Sequence, residues 1–259
     1  MKIFCKLVKI SIVIYNMNTK DKIDFIGKWI KSYATSNNFE SLVIGISGGI
    51  DSAVTSTLSA KTGLKTIVAN MPILDHKITN DRGMSHIHWL KENFENVEDL
   101  KIDLSDVFKN FKSALNKNNS EHGYANSQAR IRMATLYQIA ASNNGIVVGT
   151  GNKVEDFGIG FYTKYGDGGV DISPIADCLK TEIWDMGKEL MINQDIIDAA
   201  PTDGLWSDGR SDEDQVGLNY AEIEEAMINE NSSNRDKYLE IRKNNVHKMN
   251  PIPVCILPK

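Results

Sequence analysis

The chain of 259 residues is 41% hydrophobic and 24% charged, proportions that are ordinary for a globular protein and exclude a disordered or fibrous chain. Its formal net charge of −5 argues against a nucleic-acid-binding surface, because nonspecific affinity for nucleic acids comes from clustered Lys and Arg. Cys5, Cys178 and Cys255 form no CxxC unit, so we expect a reducing compartment and no zinc site.

The first sixteen residues differ from the rest of the chain. They are apolar with three lysines, as at the start of a signal peptide, but no small-residue cleavage site follows. The stretch is too short and too charged to span a membrane, which takes about 20 mainly apolar residues. Met17 is an alternative start. The sequence therefore predicts a possible extension at 1–16, a single domain at 17–259, and a cytoplasmic protein with no membrane contact.

Helices and strands alternate in the first 150 residues. Apolar residues at helical spacing predict a helix from Ile23 to Tyr33, followed by a buried strand over 41–46 and a helix from Asp51 to near Gly63. The later predictions are a strand at 65–71, a helix at 79–93, a possible strand at 97–104, a helix from 120 or 125 to 143, and a strand at 146–150. This alternation predicts an α/β fold with a doubly wound, mainly parallel sheet flanked by helices.

The pattern becomes irregular after Gly151. Helices are predicted at 181–191, 220–228 and 235–247. Two stretches rich in turn formers and charge, 75–83 and 201–215, are predicted to be loops beside a site. For 75–83, an ordinary surface connection is an equally good interpretation.

The strongest local signal lies between the predicted strand at 41–46 and the helix that follows it. It consists of Gly45, Ile46, Ser47, Gly48, Gly49, Ile50, Asp51 and Ser52. Glycines let backbone N–H groups approach an anion, the serines add donors, and a helix N-terminus favours negative charge. The segment lacks the Lys-Ser/Thr ending of a Walker A loop and the G-x-G-x-x-G of a dinucleotide fingerprint. It predicts a polyphosphate site of another kind.

Asp51 is unexpected in a phosphate-binding loop. A carboxylate there would repel phosphate unless a divalent cation bridged the two, so Asp51 is interpreted as a magnesium contact. The alternative is a helix-capping aspartate. The string Ser-Gly-Gly-Ile-Asp-Ser resembles the PP-loop of the N-type ATP pyrophosphatases, which split ATP into AMP and pyrophosphate. That resemblance favours the magnesium interpretation and implies an adenine nucleotide alpha hydrolase-like fold.

Further segments resemble the NAD synthetases within that group. They are Asn126-Ser-Gln-Ala-Arg-Ile-Arg-Met133, Gly149-Thr-Gly-Asn-Lys-Val-Glu155, Phe161-Tyr-Thr-Lys-Tyr-Gly-Asp-Gly-Gly-Val-Asp171, Pro201-Thr-Asp-Gly-Leu205 and the pair His247-Lys248. Together they span most of the chain, and the segment that begins at Phe161 is the most discriminating. The resemblance implies ATP-dependent amidation of deamido-NAD with ammonia, through a nicotinyl adenylate, to give NAD, AMP and pyrophosphate.

The resemblance also implies roles for individual residues. The expected ATP contacts are the loop from Gly45 to Ser52 with Thr150, Lys180 and Thr202. Asp51 and Glu155 would hold Mg²⁺, and Asp51 and Lys180 would be catalytic. The expected deamido-NAD contacts are Arg130, Lys164, Asp171, His247 and Lys248. Taken singly, Arg130 could be the solvated edge of a helix, and His247 and Lys248 could simply complement a helix C-terminus.

Two segments depart from the family pattern. The stretch between Glu155 and Lys164 is one residue longer, so that Asp156 could share the metal role. The segment from Pro201 to Trp206 reads Pro-Thr-Asp-Gly-Leu-Trp where other members read Pro-Thr-Ala-Asp-Leu, which leaves the contacts of a lid open.

The nitrogen source and the partners are expectations as well. The residues upstream of Gly45 leave no room for a glutaminase domain, so direct use of free ammonia is expected. The family resemblance also implies a homodimer, for which the helix at 23–33 or the apolar end at 252–257 could supply a surface. The alternatives are another amidating or tRNA-modifying PP-loop enzyme and a non-catalytic ATP-binding module.

Overall fold

The computed structural model describes residues 17–73, 77–202 and 211–258. The predicted extension at 1–16, Cys5 and residues 203–210 of the predicted loop lie outside the described residues. Within the described ranges, no helix combines the length and the apolar character needed to cross a bilayer.

In the described part of the chain the sheet has four parallel strands, which confirms the predicted parallel architecture. The strands are β1 (Ser41–Gly45), β2 (Lys65–Asn70), β3 (Val97–Lys101) and β4 (Gly145–Val147), in the order β3-β2-β1-β4. Ser41 of β1 is paired with Lys65 on one side and Gly145 on the other. The chain therefore leaves β1 toward one edge and returns on its opposite side. In such sheets, ligands bind in the crevice beyond the carboxyl ends of the strands at this switch point.

Helices cover both faces of the sheet, as predicted for a doubly wound fold. The helices are α1 (Thr19–Ser36), α2 (Ile50–Lys61), α3 (Lys77–Asn93), α4 (Ser105–Leu115), α5 (Glu121–Ser142), a π-helix (Lys153–Ile159), α6 (Lys180–Glu189), α7 (Gln194–Ile197), α8 (Asp212–Val216), α9 (Tyr220–Ile228) and α10 (Arg235–Met249). Leu42 and Ile44 of β1 pack in a core cluster with α1, α2, α3 and α6. Val43, between them in sequence, points to the opposite face and packs with α4 and α5.

Several predicted boundaries are wrong. Helix α3 begins at Lys77, so most of the predicted loop at 75–83 is helical. Strand β4 ends at Val147 and not at Thr150, because Val148 makes only an isolated bridge to Ile172 beyond it. Helices α4, α7 and α8 were not predicted. They are short or bury little, and Phe108 is the one fully buried residue of α4.

The stretch after Glu155 begins in a π-helix, which the sequence did not predict. A π-helix closes its hydrogen bonds over five residues instead of four, and so accommodates one extra residue locally. The Asn152 side chain caps its first turn by accepting hydrogen bonds from the backbone N–H groups of Val154 and Glu155, both at 3.0 Å. Gly160, at a φ of 67°, ends it. Asn152 thereby fixes the backbone that carries Glu155.

Two surfaces offered as partner contacts are exposed in the chain. Phe25, Trp29 and Tyr33 of α1 are 43%, 40% and 38% exposed, whereas the other face of that helix lies in the core. The apolar residues from Ile252 to Leu257 are exposed as well. Cys178 is buried and Cys255 is exposed, and each is a free thiol.

Candidate active site

A cleft of about 960 Å³ opens beyond the carboxyl ends of β1 and β4. This volume lies in the range of small-molecule sites. The predicted ATP-binding residues that line it are Gly45, Ile46, Ser47, Gly49, Ile50, Asp51, Ser52, Thr150, Lys180 and Thr202. The structure thus brings all of them but Gly48 to one concave surface at the switch point of the sheet.

The loop from Gly45 to Ser52 is braced by its own serines. The Ser47 and Ser52 hydroxyl oxygens lie 3.1 Å apart, and Ser52 donates to the Gly49 carbonyl oxygen at 2.9 Å. Gly48 has a φ of 86°, and a Cβ on it would lie 2.3 Å from the carbonyl oxygen of Thr79 in α3. Gly48 therefore packs against α3, and its lack of a side chain lets that helix approach the loop.

Three predicted residues meet at the base of the cleft. Lys180 Nζ lies 2.5 Å from Asp51 Oδ2 and 2.8 Å from Glu155 Oε1, and the Lys180 side chain is only 2% exposed. Asp51 does not cap helix α2, since the N-cap position is Gly49 and Asp51 lies in the first turn. We call Asp51, Glu155 and Lys180 the carboxylate–lysine cluster.

The charges of the cluster depend on one another. Burial raises the pKa of Asp51 above its usual value, against the lowering effect of Lys180. Burial also acts to raise the pKa of Glu155, but Lys180 and the Tyr220 hydroxyl hold that pKa below its usual value. For Lys180, burial acts to lower the pKa, but the two carboxylates hold it above its usual value. One ammonium thus faces two carboxylates, so the cluster carries one net negative charge when all three groups are ionised.

The composition of the cluster fits magnesium bound together with a nucleotide. Among the residues that the structure describes, no three His, Cys, Asp or Glu side chains converge as a ready-made metal cage. Mg²⁺ is commonly held by one or two carboxylates together with substrate phosphates and water. Asp51 and Glu155 would supply those two carboxylates beside the predicted phosphate loop.

Asn152 and Tyr220 support the cluster, and the sequence did not predict either role. Asn152 Nδ2 donates to Asp51 Oδ1 at 2.9 Å. The Tyr220 hydroxyl lies 2.6 Å from Glu155 Oε1 and 3.3 Å from Asp212 Oδ2. Asp212 also donates its backbone N–H to the Pro201 carbonyl oxygen at 3.0 Å, across the base of the 201–212 segment. Tyr220 therefore connects Glu155 to the base of that segment.

Changing Tyr220 to Phe should raise the Mg²⁺ concentration needed for half-maximal activity by about 10- to 100-fold, because partners that orient a metal ligand have effects of that size. The reason is the loss of the hydroxyl contact with Glu155, while the ring stays in place. Tyr238→Phe is the matched control, since Tyr238 is buried in the same apolar cluster. Equal magnesium titration curves for both variants would rule out this role.

Asp156 lies in the cleft but outside the cluster. Its carboxylate packs against the Cα of Gly151, where a Cβ would lie 2.0 Å from Asp156 Oδ2. Burial, with the nearby charge of Glu155, raises the pKa of Asp156 to about 8. Glu155, and not Asp156, accepts from Lys180. A share of the metal role for Asp156 stays a prediction.

Four of the five predicted dinucleotide contacts line the same cleft. Arg130 Nε donates to the Lys164 carbonyl oxygen at 3.3 Å, and Lys164 Nζ reaches the His247 carbonyl oxygen at 3.5 Å. Lys248 Nζ donates to the Tyr162 carbonyl oxygen at 2.8 Å. The last turn of α10 is thus joined to the segment 161–165, so that Arg130, Lys164, His247 and Lys248 lie on one wall.

Asp171 is the exception. Its carboxylate accepts a hydrogen bond from the backbone N–H of Val147 at 2.7 Å and one from the Tyr137 hydroxyl at 3.1 Å. It does not line the cleft and instead binds the outer edge of β4, which the segment 171–172 covers. Burial, with the charge of Asp171, raises the pKa of Tyr137 to about 12.

Arg82 and Arg132 also line the cleft, and the sequence analysis missed both as site residues. Arg132 Nε donates to the Met71 carbonyl oxygen at 3.0 Å, and burial lowers its pKa to about 10. Arg82 Nε is buried without a hydrogen bond to the described residues. Arg132 stands in the segment 126–133, which resembles the family, whereas Arg82 lies in helix α3, where the predicted helix at 79–93 and the predicted loop at 75–83 overlap.

A parallel α/β sheet with a PP-loop at its switch point, beside a carboxylate–lysine cluster, defines an ATP-using enzyme of the PP-loop class. The chain belongs to the NAD synthase family, whose sequence profile matches residues 22–252. It is accordingly a ligase that forms a C–N bond, and the reaction of the family is NAD synthesis from deamido-NAD.

Similar proteins support the assignment of the chain to this family. The chain is 36% identical over 228 residues to the NH₃-dependent NAD⁺ synthetase of Finegoldia magna, covering 88% of this chain and 91% of that protein. It is similar to the structure of NMN synthetase from Francisella tularensis, with a TM-score of 0.84, 30% identity, and 94% and 99% of the two chains covered. The NH₃-dependent NAD synthetase structure from Campylobacter jejuni has the same fold, with a TM-score of 0.75, 23% identity, and 93% and 100% coverage.

Proposed function

We propose that the cleft binds ATP with Mg²⁺ at the PP-loop and uses free ammonia to amidate the nicotinate carboxylate of deamido-NAD, releasing NAD, AMP and pyrophosphate. The observation that carries this proposal is the meeting of Asp51, Glu155 and Lys180 below the loop, in the same cleft as four of the expected dinucleotide contacts. A non-catalytic ATP-binding module would need the loop from Gly45 to Ser52. It would not need the wall of the cleft that carries Arg130, Lys164, His247 and Lys248.

The chemistry requires activation of a poor acyl donor. A carboxylate oxygen of the nicotinate attacks the α-phosphorus of ATP, the bond to the β-phosphate oxygen breaks, and pyrophosphate leaves. Ammonia then attacks the acyl carbon, and AMP leaves with the former carboxylate oxygen while the nitrogen loses a proton. No protein nucleophile is needed for either step.

The residues at the base of the cleft would stabilise the charge that develops on the phosphates. Backbone N–H groups of the loop and the hydroxyls of Ser47 and Ser52 would bind the triphosphate. Asp51 and Glu155 would hold Mg²⁺, which neutralises charge on the leaving pyrophosphate when bound. Lys180 would contact the phosphates as a buried ammonium, which is effective because the site is shielded from water.

The cationic side chains of Arg130, Lys164 and Lys248 would bind the dinucleotide along their wall of the cleft. Changing Lys164 to Ala should raise the KM for deamido-NAD by about 10- to 100-fold and leave the KM for ATP nearly unchanged, because a hydrogen bond to a charged group is worth about 1.5–3 kcal/mol. Lys243→Ala, on the exposed face of α10, is the control. Steady-state kinetics with each substrate varied in turn provide the measurement, and wild-type KM values for Lys164→Ala would exclude this assignment.

An isotope experiment tests the adenylate. Deamido-NAD labelled with ¹⁸O in the nicotinate carboxylate should transfer one labelled oxygen to AMP for each NAD formed, as read by mass spectrometry. Label found in pyrophosphate or released to water would show that activation occurs at another phosphorus or does not occur.

Nicotinate mononucleotide is a second candidate substrate, favoured by the 30% identity and the 99% coverage of the Francisella tularensis NMN synthetase chain. The two substrates share the reacting carboxylate and differ in the adenylate half. The ratio of kcat/KM for deamido-NAD to kcat/KM for nicotinate mononucleotide, with ammonium and MgATP saturating, separates them. A ratio above one supports deamido-NAD as the substrate, and a ratio below one supports the mononucleotide.

Three further parts of the proposal concern the domain, the assembly and the compartment. Residues 17–259 would act as one domain, and a homodimer would cover the exposed face of α1 at Phe25, Trp29 and Tyr33. A cytoplasmic location would agree with the free thiols of Cys178 and Cys255. Sedimentation at micromolar protein concentration would test the dimer, and a monomer mass would remove it.

A further inference from the structure

Lys180 carries a buried charge at the point between two carboxylates where a metal is expected. Its side chain is 2% exposed, and its ammonium lies within 2.8 Å of both Asp51 and Glu155. A buried ammonium is costly unless it is paired, and so are two partly buried carboxylates close to each other. The ion pairs therefore satisfy all three groups at once.

We propose that Lys180, besides contacting the phosphates, serves as a resident counter-ion in the protein without nucleotide, holding Asp51 and Glu155 in place before Mg²⁺ binds and leaving them for the nucleotide phosphates as MgATP enters. This inference rests on the proposed function, since it takes Asp51 and Glu155 to be the metal ligands. It goes further in assigning Lys180 a role in the protein without nucleotide.

Charge balance explains why the exchange needs the nucleotide. A magnesium ion would compete with the Lys180 ammonium for the same oxygens and would repel it. Among the described residues, the ion-pair partners of Lys180 are Asp51 and Glu155 alone, so its displacement by metal would leave a buried cation without an anion. A triphosphate supplies a new anion for Lys180. Metal and nucleotide therefore bind with positive coupling, which by linkage acts equally in both directions.

The side chains around Lys180 would allow its ammonium to leave the two carboxylates. Tyr220 and Asn152 hold Glu155 and Asp51 by separate hydrogen bonds, so both carboxylates keep contacts when the ammonium leaves. The Tyr220 ring lies 4.8 Å from Lys180 Nζ and offers a cation–π contact that does not depend on either carboxylate.

The experiment measures metal binding without turnover. The Tm of the full chain is followed against Mg²⁺, with Mn²⁺ as a second probe, in the absence of any nucleotide. The wild type and Lys180→Arg, which keep the charge, should show no metal-dependent change. Lys180→Met and Lys180→Gln should start at a lower Tm and gain about 5–10 °C at a metal concentration near 100 times the Kd. The Gln variant keeps amide donors for the carboxylates, which protects the test if the Met variant does not fold.

A double variant identifies where the metal binds. Adding Asp51→Asn to Lys180→Gln should abolish the metal-dependent rise, because one of the two carboxylates is lost. A similar rise in the wild type, or no rise in either neutral variant, would overturn the counter-ion role. Since no substrate is present, a failure of this inference is separate from a failure of the proposed reaction, which is measured by product formation.

Discussion

Changing Asp51 to Asn is expected to lower kcat/KM for ATP by about a thousandfold, since a metal that stabilises transition-state charge contributes several kcal/mol and each 1.36 kcal/mol is a factor of ten. Asn keeps the size of the side chain and can still accept a hydrogen bond from Lys180. It removes the charge that would hold Mg²⁺ against the phosphates. Pyrophosphate release at saturating deamido-NAD and ammonium is the measurement.

A measurement of Tm distinguishes a loss of Mg²⁺ binding in Asp51→Asn from a loss of folded protein. Asp51 accepts hydrogen bonds from both Lys180 and Asn152, whereas Asn has one acceptor oxygen, so the variant should have a lower Tm and its activity is measured well below that Tm. Asp185→Asn, at an exposed aspartate of α6 paired with Lys188, should keep both activity and Tm. If Asp51→Asn turned over ATP at the wild-type rate over a range of Mg²⁺ concentrations, Asp51 would not be a metal ligand.

Changing Gly48 to Ala is expected to reduce the free energy of unfolding by about 2–5 kcal/mol, the sum of the strain of a non-glycine residue at positive φ and the cost of overpacking. The new Cβ would meet the backbone carbonyl of Thr79, which cannot rotate away, at 2.3 Å. Either helix α3 or the PP-loop must shift. A displacement of about 1 Å at a binding loop can cost about a hundredfold in rate, so kcat/KM for ATP should fall by at least that factor.

Gly63 provides the matched control. It has a φ of 77°, close to that of Gly48, but a Cβ there meets no atom within 4 Å. Gly63→Ala should therefore show the backbone strain alone, about 1–2 kcal/mol, with normal activity. Urea denaturation of both variants gives the comparison. Equal losses of stability would mean that the close approach of α3 to the loop contributes nothing.

Local sequence patterns predicted the parallel sheet and the loop at residues 45–52, because each strand, turn and helix involved is formed by residues near one another in sequence. The sequence pattern of a buried strand, a glycine turn and a helix predicted that residues 45–52 lie at the carboxyl end of a parallel strand. The structure has that arrangement. Boundaries were less predictable where tertiary contacts decide them. Strand β4 stops at Val147, and the bridge from Val148 to Ile172 depends on a segment distant in sequence.

The support of the site could not be predicted, since it consists of long-range side-chain contacts. Tyr220 reaches Glu155 from 65 residues away in sequence, and no local pattern links them. For Asp171 the local pattern misled. Asp171 ends the segment 161–171, which resembles the family and mostly lines the cleft, but Asp171 itself does not line it. Its carboxylate is turned to the backbone of β4, so within the described residues its visible role is to hold that strand edge.

The central claim is amidation with free ammonia, and NAD formation measures it directly. The purified chain is incubated with MgATP and deamido-NAD, and NAD is measured with either ammonium or glutamine as the nitrogen donor. The account predicts NAD, AMP and pyrophosphate in equal amounts with ammonium and none with glutamine. NAD formation supported by glutamine alone, or pyrophosphate release that is indifferent to deamido-NAD, would contradict it.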